Sequence, residues 1–415
     1  MAKTDCLEQS YDALTAEPEP NIDNFLNSFY FRRSLAELNE LLTSLAIKTE
    51  PVRILFSGHT GSGKTSELHY LATQLEKDEK FLVIYIRSQK ELFKGDIESN
   101  DILLLSIKKL LDLIVKLELK LDQKLIDDLD ELLALLGCEV TKETIRDTSH
   151  GYKFAARLVV FGAKLKDTYD TRTVLRKTTS GLLTDILKIS NIIIDEVQRQ
   201  LKKKILIIVD DLEKITTIQQ IRNLYDGMTI IINGLNSYFL LTLPLRIIFS
   251  PERRQIGINY CRTMMLPLFE VKHSDGRMNE LEIQDMYTIA KKRIAGKCIP
   301  DDVIHTAAIF SGGIVDDFLK LLEYSCLKSL TNNRNSVTNV DMQMSINTLA
   351  SEYISGLSSS NIDTLKDIHK TKAIQLDDTI KELMVTGVVL QYTCKDNSDV
   401  WYDVHPVVSQ VLRLG

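Results

Sequence analysis

The 415-residue sequence has no long uninterrupted apolar run, only one tryptophan and only eight prolines. Its longest apolar stretch, Tyr238–Phe249, is interrupted by Pro244 and Arg246, whereas a membrane-spanning helix needs about 20 consecutive apolar residues. The first residues, MAKTDCLEQSYD, lack the apolar segment that a signal peptide requires. We therefore expect a cytoplasmic protein that makes no contact with a membrane.

The sequence contains few cysteines, and its basic residues are fewer than its acidic residues. The six cysteines form no C-x-x-C pair and lie near no cluster of histidines, so they predict neither a zinc site nor a disulfide framework. We expect buried, reduced thiols. The net charge of −6 argues against a protein that coats nucleic acid without specificity. An apolar content of 44% and a charged content of 26% are typical of a folded protein.

The sequence does contain a complete phosphate-binding pattern. The segment Gly58–Thr65 reads GHTGSGKT and matches G-x-x-x-x-G-K-[ST] between a predicted strand, Val52–Phe56, and a predicted helix. The backbone N–H groups of such a loop face phosphate groups. We expect Lys64 to contact the β- and γ-phosphates and Thr65 to bind Mg²⁺. The expected nucleotide-binding residues are Gly58, His59, Thr60, Gly61, Ser62, Gly63, Lys64, Thr65 and Ser66.

A second apolar strand, Ile205–Val209, ends in two adjacent carboxylates. After a phosphate-binding loop, this arrangement delivers one carboxylate to Mg²⁺ and another to the attacking water. We therefore expect Asp210 to be a metal ligand and Asp211 to orient or deprotonate water, with Glu213 as a weaker rival for that second role. No N-K-x-D element for reading guanine is present, which favours adenine and hence ATP as the nucleotide.

A serine and three arginines follow the next apolar segment. Leu245–Phe249 is predicted to be a strand, and Ser250 at its end is a candidate contact to the γ-phosphate, although a cap of an element explains this serine equally well. Arg253, Arg254 and Arg262 are predicted to lie on the following helix. One of them is a candidate arginine finger for a neighbouring subunit, and a solvated basic face explains all three equally well.

The order strand, glycine-rich turn, helix and strand predicts an α/β fold with a parallel sheet covered by helices. Further strands are predicted at Phe81–Ile86 and Met264–Phe269, and Val388–Tyr392 with Val400–Val404 forms a predicted hairpin. Apolar residues recur at helical spacing from residue 101 to 136. The expected parts are a flexible N-terminus (1–21), a core (22–270) with a helical insertion (about 95–200), a helical lid (271–349) and a winged-helix-like domain (350–415).

With these pieces in this order, the chain resembles the AAA+ and STAND branch of P-loop ATPases. It is most similar to the compact STAND-type ATPases of bacterial conflict systems. The segment Tyr30–Arg33, YFRR, is similar to the F-x-G-R-like element that lines the adenine cleft in this group, with Arg32 at the usual glycine position. The resemblance implies that Phe31 and Arg33 contact the nucleotide.

Two further segments resemble switch elements of the same group. Ser311–Asp316 is similar to the lid motif, but Asp316 stands at the position of the usual arginine, and Lys320 about one turn later is the candidate substitute. A glycine turn before a lid helix explains this segment equally well. Val404–Pro406 is similar to the M-H-D element, which implies that His405 touches the β-phosphate of the nucleotide.

The resemblance implies an ATP-hydrolysing, Mg²⁺-dependent molecular switch. Such a switch would form a homo-oligomer and control a separately encoded effector protein in antiviral defence. The alternative is a DNA-bound loader or initiator of the origin-recognition kind, but Asp396–Val404 contains no basic residue, so DNA contact is not indicated. A nucleotide-stabilised scaffold with little turnover is a third hypothesis, because Asp211 is shorter than the glutamate that many active relatives carry.

Overall fold

The computed structural model describes residues 4–15, 22–33, 35–93, 95–139, 153–215, 217–394 and 399–414. The described residues form two compact units. The first unit lies within Met1–Leu35, Ser57–Tyr70 and Met265–Gly415. The second unit lies within Ala36–Phe56 and Leu71–Met264.

The described residues include a five-stranded sheet, whose strands are β1 (Arg53–Gly58), β2 (Phe81–Arg87), β3 (Lys204–Asp210), β4 (Tyr238–Thr242) and β5 (Arg262–Leu266). Their order in the sheet is β2-β3-β4-β1-β5, and the pairs β2–β3, β3–β4 and β4–β1 are parallel. β1, β3 and β4 are apolar and almost wholly buried, as expected for a parallel sheet that is covered on both faces.

The helices before β3 are α1 (Thr4–Leu14), α2 (Ile22–Ser28), α3 (Ala36–Ile47), α4 (Lys64–Lys77), α5 (Ser88–Glu91), α6 (Ser99–Lys116), α7 (Gln123–Leu135), α8 (Lys153–Lys164), α9 (Tyr169–Gly181) and α10 (Leu183–Leu201). α1 falls within the predicted flexible N-terminus (1–21), of which residues 1–3 and 16–21 lie outside the described residues.

The helices after β3 are α11 (Ile218–Gly234), α12 (Leu245–Ile248), α13 (Glu252–Gly257), α14 (Glu280–Lys291), α15 (Asp301–Phe310), α16 (Val315–Thr331), α17 (Asn339–Ile354), α18 (Ser359–Thr371), α19 (Asp378–Val385) and α20 (Pro406–Leu412), with a 3-10 turn at Leu212–Lys214. In the described part of the chain, no helix combines the length and the apolar character needed to cross a bilayer.

The helices α5 to α10 form the insertion between β2 and β3. The helical pattern from 101 to 136 is two helices, α6 and α7, rather than one. The break has two local causes, because Glu118 adopts a left-handed backbone conformation (φ 51°) and Asp122 caps the N-terminus of α7. Arg176 of α9 is buried and pairs with Asp101 of α6 at 2.5 Å, which fixes these two helices to each other.

The prediction of a strand at Leu245–Phe249 is wrong. The strand lies earlier in the same apolar stretch, at Tyr238–Thr242 (β4), and Leu245–Ile248 forms the short helix α12. Pro244 explains the difference, because proline has no N–H group for a sheet ladder and therefore divides the stretch. The prediction that Arg262 lies on a helix is also wrong, since this residue begins β5.

The first unit contains the loop after β1, the lid helices α14 to α17 and a C-terminal module. In this module, β6 (Val389–Thr393) and β7 (Val400–Val404) pair antiparallel beside α18, α19 and α20. The tip of the predicted hairpin, residues 395–398, lies outside the described residues. The five-stranded sheet, the helical insertion, the helices α14 to α17 and the C-terminal hairpin with its helices confirm the predicted fold class, an α/β P-loop NTPase fold.

Candidate nucleotide-binding site

The loop between β1 and α4 has the backbone conformation of a phosphate cradle. Gly61 and Gly63 have φ angles of 76° and 92°, which residues with a Cβ atom rarely adopt. α4 begins at Lys64, so its first N–H groups have no partner within the helix. Lys64 is buried, and its Nζ donates to the carbonyl oxygens of Gly58 at 3.1 Å and His59 at 3.0 Å. Partly or fully exposed side chains of this segment include those of Thr60, Thr65 and Ser66.

His59 joins this loop to the C-terminal hairpin. Its Nε2 accepts a hydrogen bond from the backbone N–H of Gln391 on β6 at 3.1 Å. Burial, followed by the charges of Lys64 and His405, lowers the pKa of His59 to about 3. His59 is therefore a neutral imidazole that carries its proton on Nδ1 and keeps Nε2 as an acceptor.

A second contact joins the loop to the start of the lid helix α16. The carbonyl oxygen of Gly61 accepts a hydrogen bond from the N–H of Asp316 at 3.1 Å. A Cβ atom at position 61 would lie 2.7 Å from the Cβ of Asp316, so this approach requires glycine. Asp316 also forms an ion pair with Lys320 at 3.1 Å, so the candidate substitute for a sensor arginine is engaged with a carboxylate.

An aromatic cavity of about 40 Å³ lies beside the first turn of α4. Burial raises the pKa of Glu67 in its wall to about 7, against the lowering effects of the Tyr30 hydroxyl, which donates to Glu67 at 2.7 Å, and of Arg33. The cavity has room for about one water molecule, so a nucleotide base can enter only if the walls move. Those walls include Phe29, Phe31, Arg33, Ser66, Phe269 and Arg293.

The same cavity contains an unsatisfied cation. Arg33 is 7% exposed, and its Nη1 and Nη2 have no hydrogen-bond partner among the described residues. Its guanidinium lies over the ring of Phe269 at 3.9 Å, and burial lowers its pKa. The hydroxyl of Ser62 is likewise buried without a partner in the described ranges. Because unpaired buried donors are costly, these residues fit a ligand that offers acceptor atoms, as a nucleotide does.

A cluster of carboxylates follows β3 in the second unit. Asp210, Asp211 and Glu213 each offer an oxygen atom within 4.8 Å of the other two, and carboxylate oxygens are ligands that Mg²⁺ prefers. Asp210 is fully buried, and the hydroxyl of Tyr85 donates to its Oδ2 at 2.9 Å. Burial, together with the charges of Glu213 and Asp211, raises the pKa of Asp210 to about 6. The cluster therefore fits a magnesium ion.

Asp211 is held by two cations. Its Oδ2 accepts from Arg87 Nε at 3.0 Å, and its Oδ1 pairs with Lys214 Nζ at 2.7 Å. Burial alone would raise the pKa of Asp211, but the hydrogen bonds from Lys214 and Arg87 outweigh it and lower the pKa. A carboxylate with a lowered pKa is a weaker base. Lys214 and Arg87 therefore make Asp211 a weaker base toward water.

His405 is fully buried at the N-terminus of α20. Its Nδ1 accepts from the N–H of Val407 at 3.3 Å, which leaves Nε2 to donate to Asp317 Oδ2 at 3.0 Å. The ring of Tyr353 stacks on the imidazole at 4.5 Å, and its hydroxyl donates to the same oxygen of Asp317 at 2.6 Å. Both ring nitrogens thus have partners within the protein, and contact with a β-phosphate stays a prediction.

The remaining predicted residues lie in the second unit. Ser250 follows α12 rather than a strand, and the polar side chain at the carboxyl end of β4 is Thr242. Arg253 and Arg254 are exposed on α13, while Arg262 is exposed on β5. The premise for placing Ser250 at the γ-phosphate is therefore absent, and the arginine finger stays a prediction.

Sequence reasoning missed Tyr85, Arg87 and Lys214 as partners of the two aspartates. A usable signal was present, because Arg87 ends one apolar strand and Asp210 ends another. In the parallel register of β2 and β3, these two residues lie directly opposite each other. Knowledge of that pairing would have placed a cation beside the carboxylates.

No protein-family model matches the chain, and no match is found among the curated proteins. Solved structures resemble it at low identity. They include the ORC2 protein of Aeropyrum pernix (TM-score 0.45, 12% identity, 94% of this chain and 96% of that chain). They also include the ORC1 protein of the same organism in complex with DNA (0.43, 14%, 97% and 95%) and a Walker-type ATPase of Pyrococcus abyssi (0.48, 14%, 97% and 99%). At these TM-scores, no statement about function rests on the similarity.

Proposed function

We propose that this protein is an ATP-binding and ATP-hydrolysing switch in which the phosphate-binding loop controls the lid and the C-terminal module. The observation that carries the proposal is a pair of contacts made by the loop itself. His59 accepts a hydrogen bond from Gln391 of the hairpin, and Gly61 accepts one from Asp316 of the lid. Phosphate groups that bind the N–H groups of this loop would change the conformation of the same segment that makes both contacts. We propose as functional parts the core (22–270), the lid (271–349) and the winged-helix-like domain (350–415).

We assign the loop and the carboxylates to one nucleotide on the order of the motifs, because a phosphate-binding loop followed by an apolar strand that ends in carboxylates is the usual arrangement of one phosphate and Mg²⁺ site. Lys64 would hold the β- and γ-phosphates, and Thr65 with Asp210 would hold Mg²⁺, which supplies charge stabilisation at the phosphate oxygens when bound. Asp211 would orient the attacking water through an acceptor site that Arg87 and Lys214 leave open.

Slow basal turnover is expected from this arrangement. Lys214 and Arg87 lower the pKa of Asp211, so its carboxylate is a weaker base toward water. A neighbouring subunit or a second protein that attracts Lys214 would remove one of these interactions and accelerate hydrolysis.

Two finer functions share this mechanism. One is a DNA-bound initiator or loader, because the same order of core, lid and winged-helix-like module suits that function as well. The C-terminal module of this protein gives the DNA-binding function little electrostatic support, since residues 351–415 contain nine Asp and Glu residues but only six Lys and Arg residues. The other is a homo-oligomeric switch of an antiviral conflict system with a separate effector, which rests on the motif resemblance alone.

The test of the shared mechanism combines ATP hydrolysis with particle mass, each measured with and without ATP and Mg²⁺. We expect Lys64→Ala and Asp211→Asn to abolish turnover, and a nucleotide-dependent change in mass to require Lys64. Lys77→Ala, an exposed lysine in the last turn of the same helix α4, is the matched control and should retain both. Nucleotide binding without turnover and without any change in mass in the wild type would instead identify a scaffold.

A separate measurement distinguishes the two finer functions. Duplex DNA is titrated into the protein with ATP at several salt concentrations. The initiator function requires binding whose affinity falls steeply as salt rises, because phosphate contacts release counterions. Absence of binding at low salt removes that function and leaves the conflict-system switch.

A further inference from the structure

Three of the six cysteines converge in the first unit, although they are far apart in sequence. Cys6 of α1 donates from Sγ to the carbonyl oxygen of Ala295 at 2.6 Å. Cys298 donates to the same oxygen at 3.2 Å, and its Sγ also lies 3.3 Å from the carbonyl oxygen of Cys6, 292 positions away. Two thiols that share one acceptor atom are held close to each other by the fold.

The two thiols also influence each other electrostatically. Burial, and then the hydrogen bond with Cys6, raises the pKa of Cys298 to about 11. Ser10, one turn beyond Cys6 on α1, reinforces the arrangement, because its hydroxyl lies 3.3 Å from Cys298 Sγ and accepts from the Ala295 N–H at 2.9 Å. Burial raises the pKa of Cys326 to about 12, and both other thiols contribute to that shift. Cys326 and Cys298 are buried, whereas Cys6 is partly exposed.

We propose that Cys6 and Cys298 form a dithiol site that a hydroperoxide oxidises to a disulfide. Cys6 is the entry point because it is the exposed member of the pair, and oxidants react with accessible thiolates. Its thiolate attacks one peroxide oxygen, the O–O bond breaks, and the sulfur becomes a sulfenic acid. The Cys298 thiol then gives up its proton as its sulfur attacks Cys6, the S–O bond breaks, and water leaves. Two thiols and one hydrogen peroxide thus yield one disulfide and two waters.

The disulfide would link two chain segments that each contribute residues to the lining of the aromatic cavity. α1 precedes the wall formed by Phe29 and Arg33, and Cys298 follows the wall formed by Ile289 and Arg293. Since entry of a base requires those walls to move, the link should slow exchange of bound nucleotide. This consequence rests on the proposed function, whereas the disulfide itself does not.

The experiment treats the full-length protein with hydrogen peroxide under non-reducing conditions and identifies cysteine-containing peptides by mass spectrometry. We expect a cross-linked peptide pair that contains Cys6 and Cys298, lighter by about 2 Da than the two thiols together. Cys6→Ser and Cys298→Ser should each abolish the pair, and Cys261→Ser, at an exposed cysteine outside the cluster, should leave it unchanged. Sulfinic acid at Cys6 without the cross-link, or a cross-link from Cys6 to Cys326 instead, would overturn the assignment.

A second readout separates this proposal from the proposed function. Release of a fluorescent ADP analogue is followed before and after oxidation, and after reduction with dithiothreitol. We expect slower release from the oxidised protein and recovery on reduction. If the cross-link forms while release is unchanged, the link to the cavity is wrong. If no nucleotide binds to the reduced protein, the proposed function fails while the dithiol site stands.

Discussion

His59, the second residue of the phosphate-binding loop, accepts a hydrogen bond from the backbone of Gln391 on the C-terminal hairpin at 3.1 Å. Burial and nearby charges lower the pKa of His59 to about 3. The Nε2 atom therefore stays unprotonated at neutral pH and continues to accept this hydrogen bond. The hairpin also carries Trp401, the single tryptophan of the chain, which donates to Glu270 at 3.0 Å. The protein therefore contains its own fluorescent reporter of the module that His59 contacts.

The first prediction concerns transmission from the loop to the hairpin. We expect nucleotide to change the fluorescence of Trp401 in the wild type, and His59→Ala to remove most of that change while nucleotide still binds, because Lys64 and the loop N–H groups remain. The loss of one buried hydrogen bond should also lower stability by about 1–2 kcal/mol. Titration of nucleotide with tryptophan fluorescence and thermal unfolding tests both. An undiminished fluorescence change in the variant would show that the lid contact alone carries the signal.

The second prediction concerns the restraint on Asp211. Lys214 is 55% exposed, so its ion pair with Asp211 is worth about 1 kcal/mol or less. Lys214→Met removes one of the interactions that lower the pKa of Asp211, so the carboxylate becomes a stronger base toward water. We expect faster hydrolysis, by up to about fivefold, with Lys77→Met as the matched control that leaves the rate unchanged. A slower rate in Lys214→Met would mean that the lysine acts on the phosphates rather than as a restraint.

The parts of the site that are contiguous in sequence could be predicted from it. The loop Gly58–Thr65 and the carboxylates after β3 are each defined by a few consecutive residues, because a strand must lead directly into the chemistry. Amphipathic spacing likewise predicted the helical insertion, the lid and the C-terminal module. These features depend on local patterns, and the structure retains them.

The pairing of distant residues could not be predicted in the same way. Arg87 reaches Asp211 only because β2 lies beside β3, and that order is a property of the whole sheet. Pro244 within the apolar stretch was a local signal for ending β4 early, but apolar content outweighed it in the prediction. The lack of hydrogen-bond partners for the Arg33 guanidinium depends on residues that are distant in the sequence, so the sequence alone could not predict it.

The third prediction concerns the pH dependence of stability. The pKa of Asp210 is raised to about 6 in the folded state, so the folded protein binds this proton more tightly than the unfolded chain does. The contribution of Asp210 to stability is therefore complete below about pH 4 and is lost as pH rises through about 6. Asp210→Asn, which stays neutral, should be more stable than the wild type at pH 7 by up to about 3 kcal/mol, with a difference that shrinks toward pH 4.

Asp211→Asn is the internal control for that measurement, because the neighbouring pKa shift has the opposite sign. The pKa of Asp211 is lowered by Lys214 and Arg87, so its carboxylate stabilises the fold above its unfolded-state pKa and the contribution is lost as pH falls. We expect Asp211→Asn to be less stable than the wild type at pH 7 and still so at pH 4, with a difference that shrinks only as pH falls below the unfolded-state pKa of about 3.8. Urea unfolding at several pH values measures both. Parallel pH profiles for the two variants would contradict the assignment.

The fourth prediction concerns the cost of keeping Arg33 in the aromatic cavity. Its guanidinium is buried over Phe269, and Nη1 and Nη2 have no hydrogen-bond partner in the described part of the chain. A methionine of similar length removes the buried N–H groups that lack acceptors and still packs against the ring. Arg33→Met should therefore raise the melting temperature of the nucleotide-free protein.

The same variant should weaken nucleotide binding about tenfold or more, because a hydrogen bond to a charged donor is worth about 1.5–3 kcal/mol. Arg32→Met is the matched control, since Arg32 is exposed and its guanidinium lies 5.6 Å from the ring centre of Tyr70. It should change neither quantity appreciably. A fall in the melting temperature of Arg33→Met would mean that this arginine supports the fold, whereas a rise in stability with unchanged affinity would mean that its ligand is not the nucleotide. If Arg33→Met raises the melting temperature and weakens nucleotide binding, Arg33 serves the ligand and destabilises the fold.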